Sequence, residues 1–429
     1  MNLALLKPVD RTARLPVPLR FDATTGRGFL ARGRIVGLIG PAFVAAIAFV
    51  DPGNVATNVG AGTDYRYVLL WAVVTASLVA MLVQYLSAKL GLATGCSLAE
   101  VCRDHTRRPV RIGLWLVAEA VVIMTDLAEF VGGAIALNLL FRVPLLTGGL
   151  IVAAFTLLVL RARVRGRDSF PAVVVGLLFL MVGAFAYLMA CSPFDAGAAA
   201  SGLVPALPDT NSVLLACGIL GATVMPHAVF LHSSLIGGLA EDRPRTIRTA
   251  SMLRFVRRDV IVAMAVAAAV NVLMLLVATS LPVGTGGSLE SVHRAFLAHR
   301  GALFAAVFAL ALLASGLASA CAGVYAGQAI MQGFLRRNSS VWLRRIISSV
   351  PALIILALAP DPTKALVYSQ VALSFGLPFA LVPLMLFTSR RSIMGVFVNR
   401  HRTVAAGLTV TVIVLGLNAF LLVRMFRFA

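Results

Sequence analysis

Charged residues, and acidic ones above all, are scarce in this 429-residue chain. Only 13% of the residues are charged, with 17 Asp and Glu against 37 Lys and Arg, and 60% are hydrophobic. A soluble domain is about half apolar and about a quarter charged, so this composition excludes an ordinary soluble protein. A helix that spans a bilayer needs about 20 apolar residues. Such stretches fill most of the chain and leave no room for a separate soluble domain.

Cysteine is also scarce, and the N-terminus lacks an apolar core. The five cysteines, at 96, 102, 191, 217 and 321, show no paired spacing, which excludes a disulfide framework. Residues 1–34 contain basic residues and prolines but no apolar run, so they do not form a cleavable signal peptide. We expect a flexible cytoplasmic tail there.

Eleven apolar stretches are present, and the basic residues between them are unevenly distributed. With the N-terminus inside, 29 of the 37 Lys and Arg residues lie in predicted cytoplasmic segments and seven on the opposite side. The net charge of +20 therefore reflects the concentration of basic residues on the cytoplasmic side of the membrane and an attraction to anionic lipid. No nucleic-acid partner is expected. The cell (inner) membrane is the predicted location, with the N-terminus cytoplasmic and the C-terminus extracellular or periplasmic. The predicted spans are 35–61, 66–94, 110–141, 144–160, 170–191, 212–239, 258–281, 301–334, 342–359, 363–388 and 404–424.

The spans divide into two units of five helices, 35–191 and 212–388, followed by an eleventh helix at 404–424. The first helix of each unit carries a polar break: Asp-Pro-Gly-Asn at 51–54 and Thr-Val-Met-Pro-His at 223–227. Since five is odd, the second unit enters the membrane in the opposite orientation. Corresponding interrupted helices in an inverted repeat indicate the binding site of a transporter. The predicted fold is therefore all-α and polytopic.

The residue types at the two breaks favour a transition metal. Proline lacks an N–H, so each break frees backbone carbonyls around Ala48 and Ala222, which are candidate cation ligands. Asp51 adds a carboxylate, Asn54 an amide oxygen and Met225 a thioether. Oxygen ligands alone would suit Mg²⁺, Ca²⁺ or Na⁺, whereas a thioether favours softer transition metals. The alternatives are that Met225 only fills the core and that Asn54 only caps the second half-helix.

The third span contains three acids, Glu119, Asp126 and Glu129, whose spacings of three and seven place them on roughly one helical face. Acids inside a membrane face an aqueous path or pair with cations. Clustered carboxylates at low dielectric suit proton carrying. The alternative is a structural ion pair with Arg344 or Arg345.

Two histidines follow the second break, and imidazole titrates near neutrality. We expect His227 and His232 to belong to a proton pathway rather than to ligate the metal. The alternative for each is a hydrogen-bonded structural histidine. Asn271 lines an outer gate or bridges helices by hydrogen bonds.

Four other classes of membrane protein fit less well. A sodium-coupled amino-acid transporter would need glycine-rich breaks for a substrate carboxylate, and a magnesium-selective relative should lack Met225. An intramembrane hydrolase would need His-Glu-x-x-His or Gly-x-Ser-x-Gly, and neither is present. A channel fits interrupted helices in a repeat less well than alternating access does.

Over nearly its whole length the chain resembles the Nramp family of proton-coupled manganese and iron transporters. Residues 51–54 match the family's DPGN hallmark, residues 222 and 225–227 match its second break, and residues 125–129 match its third helix. The resemblance implies a LeuT-like fold. It also implies metal binding by Asp51, Asn54 and Met225, with carbonyl help from Ala48 and Ala222. Phe49 stands where many bacterial members carry Tyr, which leaves the ligands intact.

The resemblance further implies that Gln370 joins the ion shell when the site closes, and that basic residues of the ninth helix belong to the proton relay. We expect a functional monomer that is not an enzyme, holds no permanently bound cofactor, and carries Mn²⁺ or Fe²⁺ together with H⁺ into the cytoplasm. One thioether accepts Mn²⁺, Fe²⁺, Co²⁺ and Cd²⁺ alike, so the prediction is a class of metal.

Overall fold

The computed structural model describes residues 41–164, 170–241, 250–282, 284–336, 341–359 and 361–427. Nearly all of these residues are helical, and no strand occurs among them, which confirms the all-α prediction. The predicted tail 1–34 and the start of the first predicted span lie outside the described residues.

The first predicted span is two helices, α1 (Pro41–Ala48) and α2 (Pro52–Tyr65), whose axes are bent by 55°. The bend falls at Phe49–Asp51, the first break. Pro52 cannot continue the hydrogen bonding of α1, but its fixed φ suits the first turn of α2. The Asp51 side chain then caps α2 by accepting from the Asn54 N–H.

The remaining helices of the first half follow at the predicted places, with two short additions in the connections. They are α3 (Leu70–Thr94), α4 (Leu98–His105), α5 (Arg108–Phe141), α6 (Leu145–Val164), α7 (Phe170–Ala190) and α8 (Ala196–Ser201).

The second half opens with α9 (Thr210–Thr223) and α10 (Pro226–Glu241), separated by the second break at Val224–Met225. This break bends the chain less than the first break does, and Thr210–Ala240 forms one apolar span of 31 residues. The later helices are α11 (Ala250–Ala278), α12 (Leu289–Arg300), α13 (Ala302–Leu335), α14 (Val341–Leu358), α15 (Pro362–Thr388), α16 (Arg391–Met394) and α17 (His401–Arg427).

A capping box begins α9. The Asp209 carboxylate accepts from Ser212 N at 2.7 Å, and Tyr65 at the end of α2 donates its hydroxyl to the same carboxylate at 2.6 Å. The Tyr65 hydroxyl and the Ser212 amide hold the pKa of Asp209 below its usual range. The outer ends of α2 and α9 are thus tied together.

Six described helices and the pair α9–α10 are long and apolar enough to cross a membrane, and the bent pair α1–α2 makes an eighth span. Three further predicted spans correspond to the shorter apolar stretches Leu145–Leu158 and Val175–Ala190 and to α14. The helices extend beyond the predicted spans in places, most clearly in α11, which begins at Ala250 where the predicted span begins at 258. Its first turns carry arginines, which end the apolar signal without ending the helix.

Close backbone approaches bring the broken helices against their neighbours. A Cβ on Gly132 of α5 would overlap the Pro52 ring at the start of α2, and one on Gly221 of α9 would overlap the Gln370 carbonyl of α15. The most extensive packing joins α5 to α13, and α15 packs on both α5 and α9. The two breaks therefore lie inside the molecule.

Candidate metal site at the two helix breaks

The first break carries a buried carboxylate with one oxygen engaged. Asp51 Oδ1 accepts from the Asn54 backbone N and from Asn54 Nδ2, both at 2.8 Å. Asp51 Oδ2 has no hydrogen-bond partner among the described residues. The alternative that Asn54 caps α2 is wrong, because Asp51 is the N-cap. The Asn54 side chain donates to Asp51 and also reaches across to the other break.

Asn54 joins the first break to the second. Pro226 has no N–H, so the Ala222 carbonyl four residues earlier has no helical donor. That carbonyl instead accepts from Asn54 Nδ2 at 2.9 Å, and Thr223 Oγ1 donates to Asn54 Oδ1 at 3.1 Å. The amide nitrogen of Asn54 thus lies between two oxygens, those of Asp51 and Ala222.

The freed carbonyls of the first break are held by two other helices. Asn271 Nδ2 of α11 donates to the Phe49 carbonyl at 3.0 Å, and Ser315 Oγ of α13 donates to the Val50 carbonyl at 2.6 Å. Ala48 stands four residues before Pro52, which has no N–H to offer it. Asn271 therefore bridges helices, as one of the two sequence-based alternatives had it.

The remaining predicted ligands lie in or beside the breaks. Met225 is fully buried in the second break, between α9 and α10. Gln370 of α15 packs so closely on Gly53 that a Cβ there would overlap its amide. Its Oε1 has no hydrogen-bond partner in the described part of the chain. The structure therefore places Gln370 against Gly53, in the first turn of α2 beside the first break.

The three acids of α5 separate into two ion-pair groups. Asp126 Oδ1 and Arg345 Nη1 are 2.6 Å apart, and Glu129 Oε2 lies 3.6 Å from the same nitrogen. Glu119 instead pairs with Arg344 at 2.5 Å and accepts from Trp115 Nε1 at 3.2 Å. Both arginines proposed from sequence as ion-pair partners are thus engaged.

Glu129 is the least constrained of these acids. It is buried, and neither of its carboxylate oxygens has a hydrogen-bond partner among the described residues. Gly323 of α13 leaves room for it, since a Cβ there would lie 3.0 Å from Glu129 Oε1 and 3.2 Å from Asp126 Oδ1. The Arg345 guanidinium also stacks on the Phe130 ring, 4.4 Å from its centroid.

The two histidines connect α10 to different helices. His227 Nδ1 and Thr125 Oγ1 are 3.2 Å apart, which places His227 beside α5, at the residue that directly precedes Asp126. His232 Nδ1 lies 2.7 Å from Gln84 Oε1 of α3, and His232 Nε2 has no partner in the described chain. Both side chains are buried.

Several polar residues at the site were not predicted from sequence. Thr223 and Ser315 hold parts of the breaks, and Gln84 and Thr125 hold the histidines. Gln84 carried a usable signal, because an amide in an apolar span is costly unless it is bonded. Ser and Thr carried none, since their hydroxyls can bond to their own helix.

No group of three or more His, Cys, Asp or Glu side chains is placed to hold a metal in the described ranges. A cation at the breaks would therefore have one carboxylate and would otherwise meet amide, carbonyl and thioether groups. Such a donor set is weaker than that of a structural zinc site.

A family model, "Natural resistance-associated macrophage protein-like" (Nramp), matches residues 42–424 of the chain. The match begins in α1, ends in α17 and includes both breaks.

Two relatives are similar along nearly their whole length, and both are described as the divalent metal cation transporter MntH. The one from Bacillus subtilis (strain 168) is 44% identical over 417 residues, which is 95% of this chain and 96% of the relative. The one from Mycobacterium leprae (strain TN) is 49% identical over 395 residues, 90% and 91% of the two chains.

Solved structures agree in fold. A manganese transporter from Eremococcus coleocola matches with a TM-score of 0.78 and 31% identity, covering 88% of this chain and 84% of that one. Mhp1, a nucleobase-cation-symport-1 family transporter in a closed conformation, matches with a TM-score of 0.51 and 15% identity, covering 81% and 77%. The second match concerns the fold alone.

Proposed function

Because the chain belongs to the Nramp family, we propose that it carries divalent transition-metal ions such as Mn²⁺ and Fe²⁺ into the cytoplasm together with protons. It is a multi-span divalent metal cation transporter and not an enzyme. The manganese named for the solved relative and the residues at the breaks support the choice of metal.

The observation that carries this proposal is the bridge between the breaks. Asn54 Nδ2 lies between Asp51 Oδ1 and the Ala222 carbonyl, at 2.8 and 2.9 Å. An amide NH₂ group between two oxygens occupies the place that a cation would fill. We propose that an entering metal displaces it, and that the amide then presents its oxygen.

The other ligands complete a mixed hard and soft donor set. Asp51 Oδ2 and Gln370 Oε1 are buried oxygens without a hydrogen-bond partner in the described residues, which makes both available to a cation. Met225 supplies the thioether, and Ala48 a carbonyl freed by Pro52. Sulfur with oxygen favours Mn²⁺ and Fe²⁺ over Mg²⁺ and Ca²⁺.

Proton coupling follows from the carboxylate. A metal binds the charged form of Asp51, so the occupancy of the site is linked to the protonation of that side chain. His227 beside Thr125 leads from the second break to α5, and Asp126, Arg345 and Glu129 continue from there. The proposed proton pathway also includes two further pairs, Glu119 with Arg344 and His232 with Gln84.

The proposed mechanism is alternating access by a monomer in the inner membrane, with the N-terminus in the cytoplasm. The helices on either side of the breaks rock between outward-open and inward-open states. Repeat boundaries at 35–191 and 212–388, with α17 as an addition, belong to the same proposal. The positive-inside asymmetry supports this orientation.

The test is uptake by the purified full chain in liposomes that contain a pH-sensitive dye. Mn²⁺ uptake should quicken when the external pH is lowered, and the interior should acidify as metal enters. Asp51→Ala should abolish both signals, whereas Asp104→Asn, which removes an exposed carboxylate on α4, should leave both intact. Uptake no faster than in empty liposomes would rule out transport. Uptake without acidification would rule out only the coupling.

A further inference from the structure

A cavity of about 450 Å³ lies away from the two breaks, since none of its lining residues belongs to them. Four connections meet there: α2–α3, α7–α8, the segment after α11, and α12–α13. Because these connections come from both halves of the chain, a ligand in the cavity would hold parts of both halves together. Its volume lies within the range of small-molecule sites.

The cavity is lined by more positive than negative charge. Arg66, His299 and Arg300 face it, with Asp195 as the acidic residue. Asp195 caps α8, since its Oδ1 accepts from Ala198 N at 3.0 Å, and the two arginines outnumber this one acid. Within the described ranges neither arginine forms an ion pair, and Arg300 makes one long hydrogen bond, from Nη1 to the Cys191 carbonyl at 3.4 Å.

Arg66 is held in this place by an unusual backbone. Its φ is 52° and its ψ is −120°, a region that residues with a Cβ rarely adopt. Such a conformation costs on the order of 1–3 kcal/mol and persists only where the surroundings enforce it. Next to it, the hydroxyl of buried Tyr67 accepts from Asp195 N at 3.3 Å, which links the α2–α3 and α7–α8 connections.

We propose that this cavity binds an oxyanion, a carboxylate or phosphate group, between Arg66 and Arg300. Both guanidinium groups line the cavity, neither has a carboxylate partner among the described residues, and guanidinium donors suit the paired oxygens of such a ligand. Leu281 and Pro282 give the site an apolar wall for the rest of the molecule. The same charges disfavour a metal cation, so this is not a second transport site.

The bound anion would act on the conformation of the protein. It would join the end of α2, which continues from the first break, to the α12–α13 connection. The free phosphate of the external medium and the headgroup of an anionic lipid share this chemistry. The proposal goes beyond metal transport, and its binding test does not depend on transport.

The test is thermal unfolding of the full chain in phosphatidylcholine nanodiscs without metal, titrated with inorganic phosphate. We expect a saturable rise of the unfolding midpoint that sodium chloride at equal ionic strength does not give. Arg66→Gln and Arg300→Gln should each weaken the apparent affinity about tenfold or more. Arg66→Lys should retain part of it. Arg294→Gln is the matched control, since Arg294 is an exposed arginine of α12 outside the cavity.

A second arm replaces part of the lipid by phosphatidylglycerol and omits phosphate. If this raises the midpoint of the wild type but not of Arg300→Gln, the ligand is a lipid headgroup; if only phosphate acts, the ligand is a free anion. Either result supports the site. No response of the wild type to either probe, or equal responses of wild type, Arg66→Gln and Arg300→Gln, would overturn it.

Discussion

At the scale of single residues, the buried carboxylates of this membrane protein differ in how many hydrogen bonds and ion pairs they form. Asp51 has one oxygen bonded and one without a partner, whereas Asp126 is bound directly to Arg345 at 2.6 Å. Glu129 lies farther away, at 3.6 Å, and accepts no hydrogen bond among the described residues. A buried carboxylate without hydrogen bonds or a close cation can be protonated and deprotonated at a lower free-energy cost than one in a tight ion pair. We therefore expect Asp126 to serve mainly structure and Glu129 mainly proton movement.

Replacing each acid by its amide should separate these roles. Asp126→Asn leaves the Arg345 guanidinium without its closest counter-charge, so the free energy of unfolding should fall by roughly 1–3 kcal/mol. Glu129→Gln should leave stability nearly unchanged and make Mn²⁺ uptake less dependent on external pH. Thermal unfolding and uptake at two pH values measure the two effects. The assignment is contradicted if Glu129→Gln is the more destabilising substitution.

At the scale of helices, the two breaks were predictable and the bonds between them were not. Proline at 52 and 226 fixes which carbonyls lose their donors, since the missing bond always runs to the residue four positions earlier. Asn54 is 168 residues from the carbonyl that it reaches, and Asn271 is 222 residues from Phe49. Such pairs depend on how the helices pack, which periodicity does not determine.

Close packing of α9 on α15 should make Gly221 intolerant of a side chain. Its Cβ would overlap the Gln370 backbone carbonyl, so Gly221→Ala must push the helices apart, at a cost of about 1–3 kcal/mol. Gly183→Ala in α7 is the control, because a Cβ there meets no atom within 4 Å. The midpoint of thermal unfolding should fall for the first variant only. Equal midpoints would mean that α15 does not press on α9.

The start of α9 should depend on pH through Asp209. Asp209→Ala removes the cap and should lower the free energy of unfolding by about 1 kcal/mol at neutral pH. Because the pKa of Asp209 is lowered in the folded protein, its contribution is present above the ordinary Asp range and is lost as pH falls through the lowered pKa. The difference in unfolding midpoint between wild type and Asp209→Ala should therefore shrink below about pH 4. A difference that grows on acidification would contradict this sign.

At the scale of the whole molecule, the charge asymmetry defines an orientation that native cysteines can test. Cys191 is exposed at the end of α7 on the predicted outer face, whereas Cys102, Cys217 and Cys321 are buried. A membrane-impermeant thiol reagent added to intact cells should label the protein. Cys191→Ser should abolish the labelling, and Cys96→Ser, on the predicted cytoplasmic side, should not. Labelling that survives Cys191→Ser and disappears with Cys96→Ser would reverse the topology.

The overall architecture followed from the sequence because hydropathy and proline position determine spans and breaks with little help from packing. Helix ends were less predictable: α11 extends to Ala250 through arginines that hydropathy assigns to a loop. The cavity lined by Arg66 and Arg300 could not be predicted at all. Arg66 and Arg300 are far apart in sequence, and only the folded chain places both on one surface.

The central claim is that Met225 and Asp51, brought together by the two breaks, select a transition metal. The most direct measurement compares Mn²⁺ and Ca²⁺ uptake by proteoliposomes containing wild type, Met225→Ala and the control Met385→Ala, a buried methionine of α15 that packs on Gly407. Loss of the thioether should lower the preference for Mn²⁺ over Ca²⁺ about tenfold, or about 1.4 kcal/mol, and the control should keep it. If Met225→Ala discriminates between the two ions as well as the wild type does, the account of the site is wrong.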